Sequence, residues 1–435
     1  MSSVPIEKSR RESRGSVLQV DITKPFRDLG LARFFFLLYL CAMFAHQKGE
    51  GIDALLVRGT FVAYVAVSFV TTLHAVVKNN DGGRLFTRFY AWVVLFWLWA
   101  FLSFFWSGSA SYFFYQAYVN NVIQILIVVP LLLLQVRNRH DVILLLKIFL
   151  IANLYSDVLL FTGTPSSAWG TERVGEAIGV QFNSLGMRNA IAAFFALFLF
   201  TETKNPLYLV SILPCAAISF FSGSRKAFLI LFLAIALYLT FVRRGFRAIR
   251  NICIAAAVLA AVYFLVMSNQ DLYHVLGRRI ENLASYLLGE GTTEYSSLER
   301  AFYREYAISM WSESPIIGWG FNQFAAQMQA INYSHVAYSH CNYTELLACL
   351  GIIGLVLYYW VYIYLGKSLL RGFRAFRDPL SLFALVFLII LAVSEYGFVA
   401  YVDIDEYLYL LICFAIVRIC GQRTEGTTET LQLTR

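Results

Sequence analysis

Over most of its length the chain alternates long apolar runs with short charged or turn-rich breaks. A hydrocarbon core about 30 Å thick takes roughly 20 apolar residues per helical crossing, so each run reads as a transmembrane helix. The runs fall near residues 30–46, 55–77, 87–106, 112–136, 141–161, 186–201, 206–221, 227–242, 251–268, 346–366, 380–399 and 406–418. Several are shorter than the bilayer is thick, and flanking Tyr, Trp and Arg make up the distance. The pattern predicts an all-α polytopic membrane protein with about 12 transmembrane helices. Two breaks are long, Thr162 to Leu185 and Ser268 to Glu345. The second has room for helices of its own over the bundle, a large helical extracytoplasmic loop.

Composition agrees with this class, and charge gives it a direction. Of the 435 residues, 59% are hydrophobic and 14% charged, and the mean hydropathy of +0.63 is too apolar for a soluble chain of this size. Lys and Arg are retained on the cytoplasmic side of a membrane. With the N-terminus inside, 25 of the 35 basic residues fall on cytoplasmic segments, among them Arg27, Arg33, Arg139, Lys204, Arg243, Arg250, Arg374 and Arg418. That alternation predicts an even number of spans, cytoplasmic N and C termini, and both long breaks on the outer face.

The expected division is a cytoplasmic tail at 1–29, nine helices at 30–268 with an outer loop at 162–185, a large outer loop at 269–345, three helices at 346–418 and a cytoplasmic tail at 419–435. Met1 to Leu29 is polar and basic without a small-residue cleavage site, so the first hydrophobic helix reads as the anchor. The net charge of +8 is then a topology signal and requires no nucleic acid as partner. The seven cysteines form no CxxC pair and lie mostly inside apolar runs, which reads as small core side chains rather than disulfides or metal ligands.

Ten basic residues sit at or near the outer face against the rule: Lys48, Arg58, Arg173, Arg188, Arg225, Lys226, Arg278, Arg279, Arg300 and Arg304. Arg225 lies in the tight turn Ser222-Gly223-Ser224-Arg225-Lys226 between two spans, where backbone donors and a guanidinium suit a phosphate oxygen, or where an arginine simply snorkels. Ser297 to Trp311 reads as a helix with Arg300 and Arg304 on one face, either bridged by an anion or paired with Glu299 and Glu305. Asn183 and Ser184 suit a helix N-cap. His335 and His340 close the large loop; either can take a proton from a hydroxyl, and either can be an ordinary polar loop residue. Glu345 shares no helix face with His340 unless the helix begins after the histidine. Glu395 falls within the eleventh span, and Asp403, Asp405 and Glu406 read as a solvated turn rather than a metal site, since no His or carboxylate spacing supports one.

These elements together resemble the O-antigen ligase and polymerase family of bacterial envelope enzymes. The resemblance rests on Arg173-x-Gly175 with Asn183 after it, the Ser222-Gly223-Ser224-Arg225 turn, Arg300 fifteen residues ahead of Pro315-x-x-Gly318-x-Gly320, and His340 eleven residues ahead of Gly351-Ile352-Ile353-Gly354. It is strongest from Arg173 to Gly354. At two positions the chain departs: Cys341 follows His340 where the family has Asn, with Asn342 a candidate substitute, and Arg304 stands where it has Trp.

The resemblance implies a metal-independent glycosyl transfer without cofactor, on the outer face of the bacterial inner membrane. A glycan would pass from polyprenyl (undecaprenyl) diphosphate to an acceptor sugar on a second lipid-linked glycan or on lipid A core. Arg225, Arg300, Arg173 and Arg304 are then expected to bind the donor diphosphate, with His340 as base beside Arg225 and Arg300, and Glu345 and Asn342 as secondary candidates. No nucleotide-binding signature is present, which suits a lipid diphosphate as both handle and leaving group. The polymerase is the favoured reading; the alternatives are a ligase and a lipid-linked oligosaccharide transporter.

Overall fold

A computed structural model of the chain describes residues 30–46, 51–79, 87–107, 119–165, 181–242, 263–270, 273–277, 295–331 and 337–433, with single positions at 174, 250, 253, 257, 260, 261 and 281. Among the described residues the regular structure is helical throughout, without a strand. The helices are α1 (Leu31–Ala45), α2 (Gly51–Asn79), α3 (Arg88–Leu102), α4 (Val119–Gln135), α5 (Arg139–Gly163), α6 (Phe182–Thr203), α7 (Pro206–Phe221), α8 (Arg225–Val242), α9 (Tyr295–Glu313), α10 (Gln323–Ala330), α11 (Asn342–Phe376), α12 (Pro379–Ser394) and α13 (Ile404–Leu433). Six of these are long and apolar enough to cross a membrane, in α2, α3, α5, α6, α8 and α11, and α1, α4, α7 and α12 are shorter apolar helices. The expected tail at 1–29, most of the expected outer loop at 162–185 and 8 of the 18 residues of the expected span at 251–268 lie outside the described residues.

Helix boundaries follow local chemistry. Asn138 caps α5 in a reciprocal box with Asp141, Asn205 and Pro206 open α7, and Asp378 and Pro379 open α12. One expected cap differs. Gln181, not Asn183 or Ser184, caps α6, its side-chain oxygen accepting the Ser184 N–H at 2.7 Å. The helix begins at Phe182, ahead of both expected caps, so the capping position falls on Gln181.

From Ala190 to Phe200 α6 is apolar on all sides, and it runs through the interior. Phe194, Phe195 and Phe198 pack on Phe383 and Phe387 of α12, with the Phe198 and Phe383 ring centres 4.3 Å apart. α2 leaves Leu55, Val62, Phe69 and Val70 exposed, the pattern of a lipid-facing helix. Charged groups gather at the two ends of the bundle. At one end Arg33 pairs with Asp141 at 2.6 Å, and Arg139 bridges Glu202 and Asp378 at 2.7 Å each. This end joins the starts of α1, α5 and α12 to the end of α6. The starts of α6, α8, α11 and α13 meet at the other end.

The long helix α11 is interrupted at Gly351, whose φ of 66° and ψ of −169° suit glycine alone. The interruption exposes main-chain groups in an apolar setting, where each needs a partner. The turn after α9 supplies them. Trp319 and Gly320 donate to the Ala348 and Cys349 carbonyls at 2.9 and 2.7 Å, and Ile352 and Ile353 donate to Pro315 and Ile316 at 3.0 and 3.3 Å. The indole of Trp99 donates to the Leu350 carbonyl at 3.2 Å. A Cβ on Gly318 would lie 2.5 Å from the Cys349 carbonyl, and one on Gly351 would lie 2.2 Å from the Ile316 oxygen. The Pro315-x-x-Gly318-x-Gly320 and Gly351 motifs are therefore two halves of one main-chain joint. That joint docks α9, with its arginines, on the helix that follows His340.

Candidate functional site

His340 sits in the segment 337–341, two residues ahead of α11, with φ of 56°. Left-handed backbone is uncommon outside glycine, though histidine is among the residues that adopt it. The segment is held from below. The Glu345 carboxylate, buried, accepts the Ser339 N–H at 2.6 Å, and the Ser339 hydroxyl donates to the Cys341 carbonyl at 2.9 Å. Asn342 is fully buried, and its amide is fully used: it donates to Glu395 and to the Tyr359 hydroxyl at 3.0 Å each, and accepts from Ala400 and Tyr401 at 2.8 and 3.1 Å. Both secondary candidates thus carry the loop and the turn opposite it.

The imidazole lies between two tyrosines. Its centre is 5.8 Å from the Tyr303 ring of α9, nearly parallel at 21°, and 4.1 Å from Tyr338. Three cations surround it. Burial first, then Arg300, Lys226 and Arg304, push its pKa down to about 3. The His340 side chain is therefore neutral at physiological pH, inside a positive field. Arg300 also acts electrostatically on Lys226 and Tyr338, and the Arg304 guanidinium lies over the Tyr396 ring at 5.4 Å.

Lys226 arrives from the turn that the sequence singles out, though through the neighbour of the expected residue. It lines a cavity of about 250 Å³ with His340 and Tyr338 and donates to the Gly397 carbonyl. Arg225 opens α8 half-buried and does not line this cavity. The turn's serines are buried and bonded internally: Ser222 donates to the Ser219 carbonyl at 2.8 Å and accepts the Ser224 N–H at 3.3 Å, while Ser224 accepts the Ala227 N–H at 3.4 Å. These donors hold the turn's shape and the start of α8.

The opposite side of the cavity is formed by Arg188 of α6 and by Asp403, Asp405 and Glu406 at the start of α13. The reading of these acids as a solvated turn is overturned, since Glu406 is 2% exposed and all three line the cavity. Asp403 caps the helix start, accepting the Asp405 N–H at 3.1 Å. Glu395 stands just past the end of α12, fully buried, where it accepts hydroxyl hydrogen bonds from Tyr358, Tyr359 and Tyr362, and Tyr362 also reaches Glu406. A lone acid in an apolar run becomes tolerable when a belt of phenols and an amide solvates it.

The structure thus brings Arg300, Arg304 and His340 together, adds Lys226, and sets Arg188 and three acids across the same cavity. Arg173 and His335 lie outside the described residues. Arg188 and Lys226 are recognisable in sequence only as basic residues out of place for the charge rule. No curated protein matches the chain. Residues 209–359 hold the 222–226 turn, Arg300, Arg304, the joint at Gly318 and Gly351, and His340; they match the family described as O-Antigen ligase, and over that stretch, about a third of the chain, the resemblance to the O-antigen ligase and polymerase family holds.

Proposed function

We propose that the protein catalyses glycosyl transfer on the outer face of the bacterial inner membrane, from a polyprenyl diphosphate-linked glycan to an acceptor sugar. The observation that carries this reading is the cluster of Arg300, Lys226 and Arg304 around a neutral His340 at one end of an apolar helical bundle. Membrane glycosyl transfer of the ligase and polymerase type is the chemistry of the matched family. Twelve spans with both termini cytoplasmic, the large outer loop at 269–345, and a diphosphate held by Arg225, Arg300, Arg173 and Arg304 without a metal are parts of the same proposal.

In the transfer, an acceptor hydroxyl oxygen attacks the anomeric carbon and the bond to the diphosphate oxygen breaks. Charge grows on the departing lipid diphosphate, and guanidinium and ammonium donors stabilise it there. The hydroxyl proton goes to His340. An imidazole with a pKa near 3 is a weak base, and the three cations are part of the reason. Diphosphate bound among them offsets their field, though not the burial, and so raises the imidazole's pKa, and the donor itself strengthens the base.

Polymerase and ligase differ only in the acceptor, and the polymerase is favoured on the Ser222 to Lys226 turn and the Asn183-Ser184-Leu185-Gly186 segment. The test is reconstitution of the purified protein in liposomes with undecaprenyl diphosphate-linked glycan, with or without lipid A core. Longer lipid-linked glycans without the core support the polymerase; glycan-bearing core supports the ligase. No product with either acceptor refutes the transfer reading.

A further inference from the structure

The cavity has two unlike ends. Lys226, His340 and Tyr338 line one, with Arg300 and Arg304 close behind. The other holds Arg188, Asp403 and Asp405, flanked by Tyr409.

Arg188 is 7% exposed, yet its guanidinium is not fully bonded. It lies on the Phe44 ring at 4.6 Å, and Nη1 reaches the Phe44 carbonyl at 3.5 Å, a long contact. Among the described residues, Nη2 is buried without a hydrogen-bond partner. Oδ1 of Asp405, across the same cavity, is buried without one as well. Native interiors pair nearly all such groups, so two orphans on residues that line one cavity point to a ligand there. Nearby Asp157 interacts electrostatically with Arg188, but among the described residues no hydrogen bond joins the two; its oxygens accept from Asn153 and Asn189 at 3.0 Å each.

The charge at this end decides what that ligand is. A single guanidinium lies within the field of Asp157, Asp403 and Asp405. Three cations act on His340 at the other end, which is therefore the stronger draw for a phosphate. An arginine donor beside carboxylate acceptors, next to aromatic rings, is the arrangement that a neutral polyol ring satisfies: its hydroxyls donate to the carboxylates and accept from the guanidinium.

We infer that Arg188, Asp403 and Asp405 form a sugar subsite that holds the hydroxyls of the glycosyl residue joined to the donor diphosphate. The inference rests on the transfer reading above. It divides one substrate across the cavity, with diphosphate on the cations and sugar on the acids. Arg188 and Asp405 are then residues that determine which sugar is accepted.

The test is binding to the full-length protein in nanodiscs, with two probes: bare undecaprenyl diphosphate, and the diphosphate-linked glycan extracted from the cells that make this protein. Arg188→Lys keeps the charge and Asp405→Asn keeps the shape. Each is expected to weaken the glycan-bearing lipid by about tenfold or more, the loss of a charged hydrogen bond, while bare undecaprenyl diphosphate stays within about twofold. That retained affinity also reports a folded protein. Loss of both lipids together, or of neither, overturns the subsite. So does a wild-type protein that binds the two lipids equally well. A wild-type protein that binds neither overturns the transfer reading itself.

Discussion

At the scale of single residues, His340 carries the sharpest expectations. Its imidazole is neutral above about pH 3 in the unliganded protein, because burial, Arg300, Lys226 and Arg304 all disfavour the charged form. The pH profile of kcat/KM, which reports free enzyme, should show no histidine limb between about pH 5 and 8. With donor bound, the diphosphate lifts that pKa, so kcat should fall as pH drops through the raised value. His340→Ala should remove that limb and lower kcat by about 10²- to 10⁴-fold; an unchanged kcat and profile would take the base role away. Arg300→Ala and Lys226→Ala should each abolish detectable transfer with the protein still inserted, and Arg300→Lys should rescue poorly because it lacks the guanidinium fork. Activity near wild type in both alanine variants would remove the diphosphate role. Arg300 and His340 are legible in the sequence because each stands at a fixed distance from a glycine motif. Arg188 and Asp405 are not: they face each other only after α6 and α13 pack, and nothing in either neighbourhood names the other.

Among the elements, α11 and the turn after α9 form the unit on which the site depends. The sequence marks both glycine motifs and the helix carrying Arg300, expected at Ser297 to Trp311 and found at Tyr295–Glu313. It does not say that the motifs meet, since hydrophobic patterning reports which face is buried and not which main-chain groups are left open. Gly351→Ala would place a side chain in a conformation that only glycine adopts and drive a Cβ to 2.2 Å from the Ile316 oxygen. The combined penalty is roughly 2 to 6 kcal/mol. Thermal unfolding in detergent should begin at a clearly lower temperature, with transfer lost. Gly366→Ala on the same helix is the control, because its Cβ would meet only Leu388 Cδ2 at 3.6 Å. Equal stability in the two variants would show that the joint bears no load.

For the whole molecule, apolar runs and charge alternation convey most of the architecture. The expected runs and the helices largely coincide, with α11 and α13 extending well beyond the apolar stretch at one end. Cysteine labelling from outside intact cells tests the proposed topology: a cysteine at Ile331 should react, and one at Lys204 should not. The reverse result would put the cation cluster on the wrong side of the membrane for a lipid-linked donor. One further consequence belongs to this scale. Because α9 is fastened to α11 through main-chain hydrogen bonds, it cannot lift away without stranding those groups. The arginine-bearing helix is therefore welded to the helix that follows His340, and traffic of a long lipid chain has to pass through a side door between helices rather than beneath a rising cover.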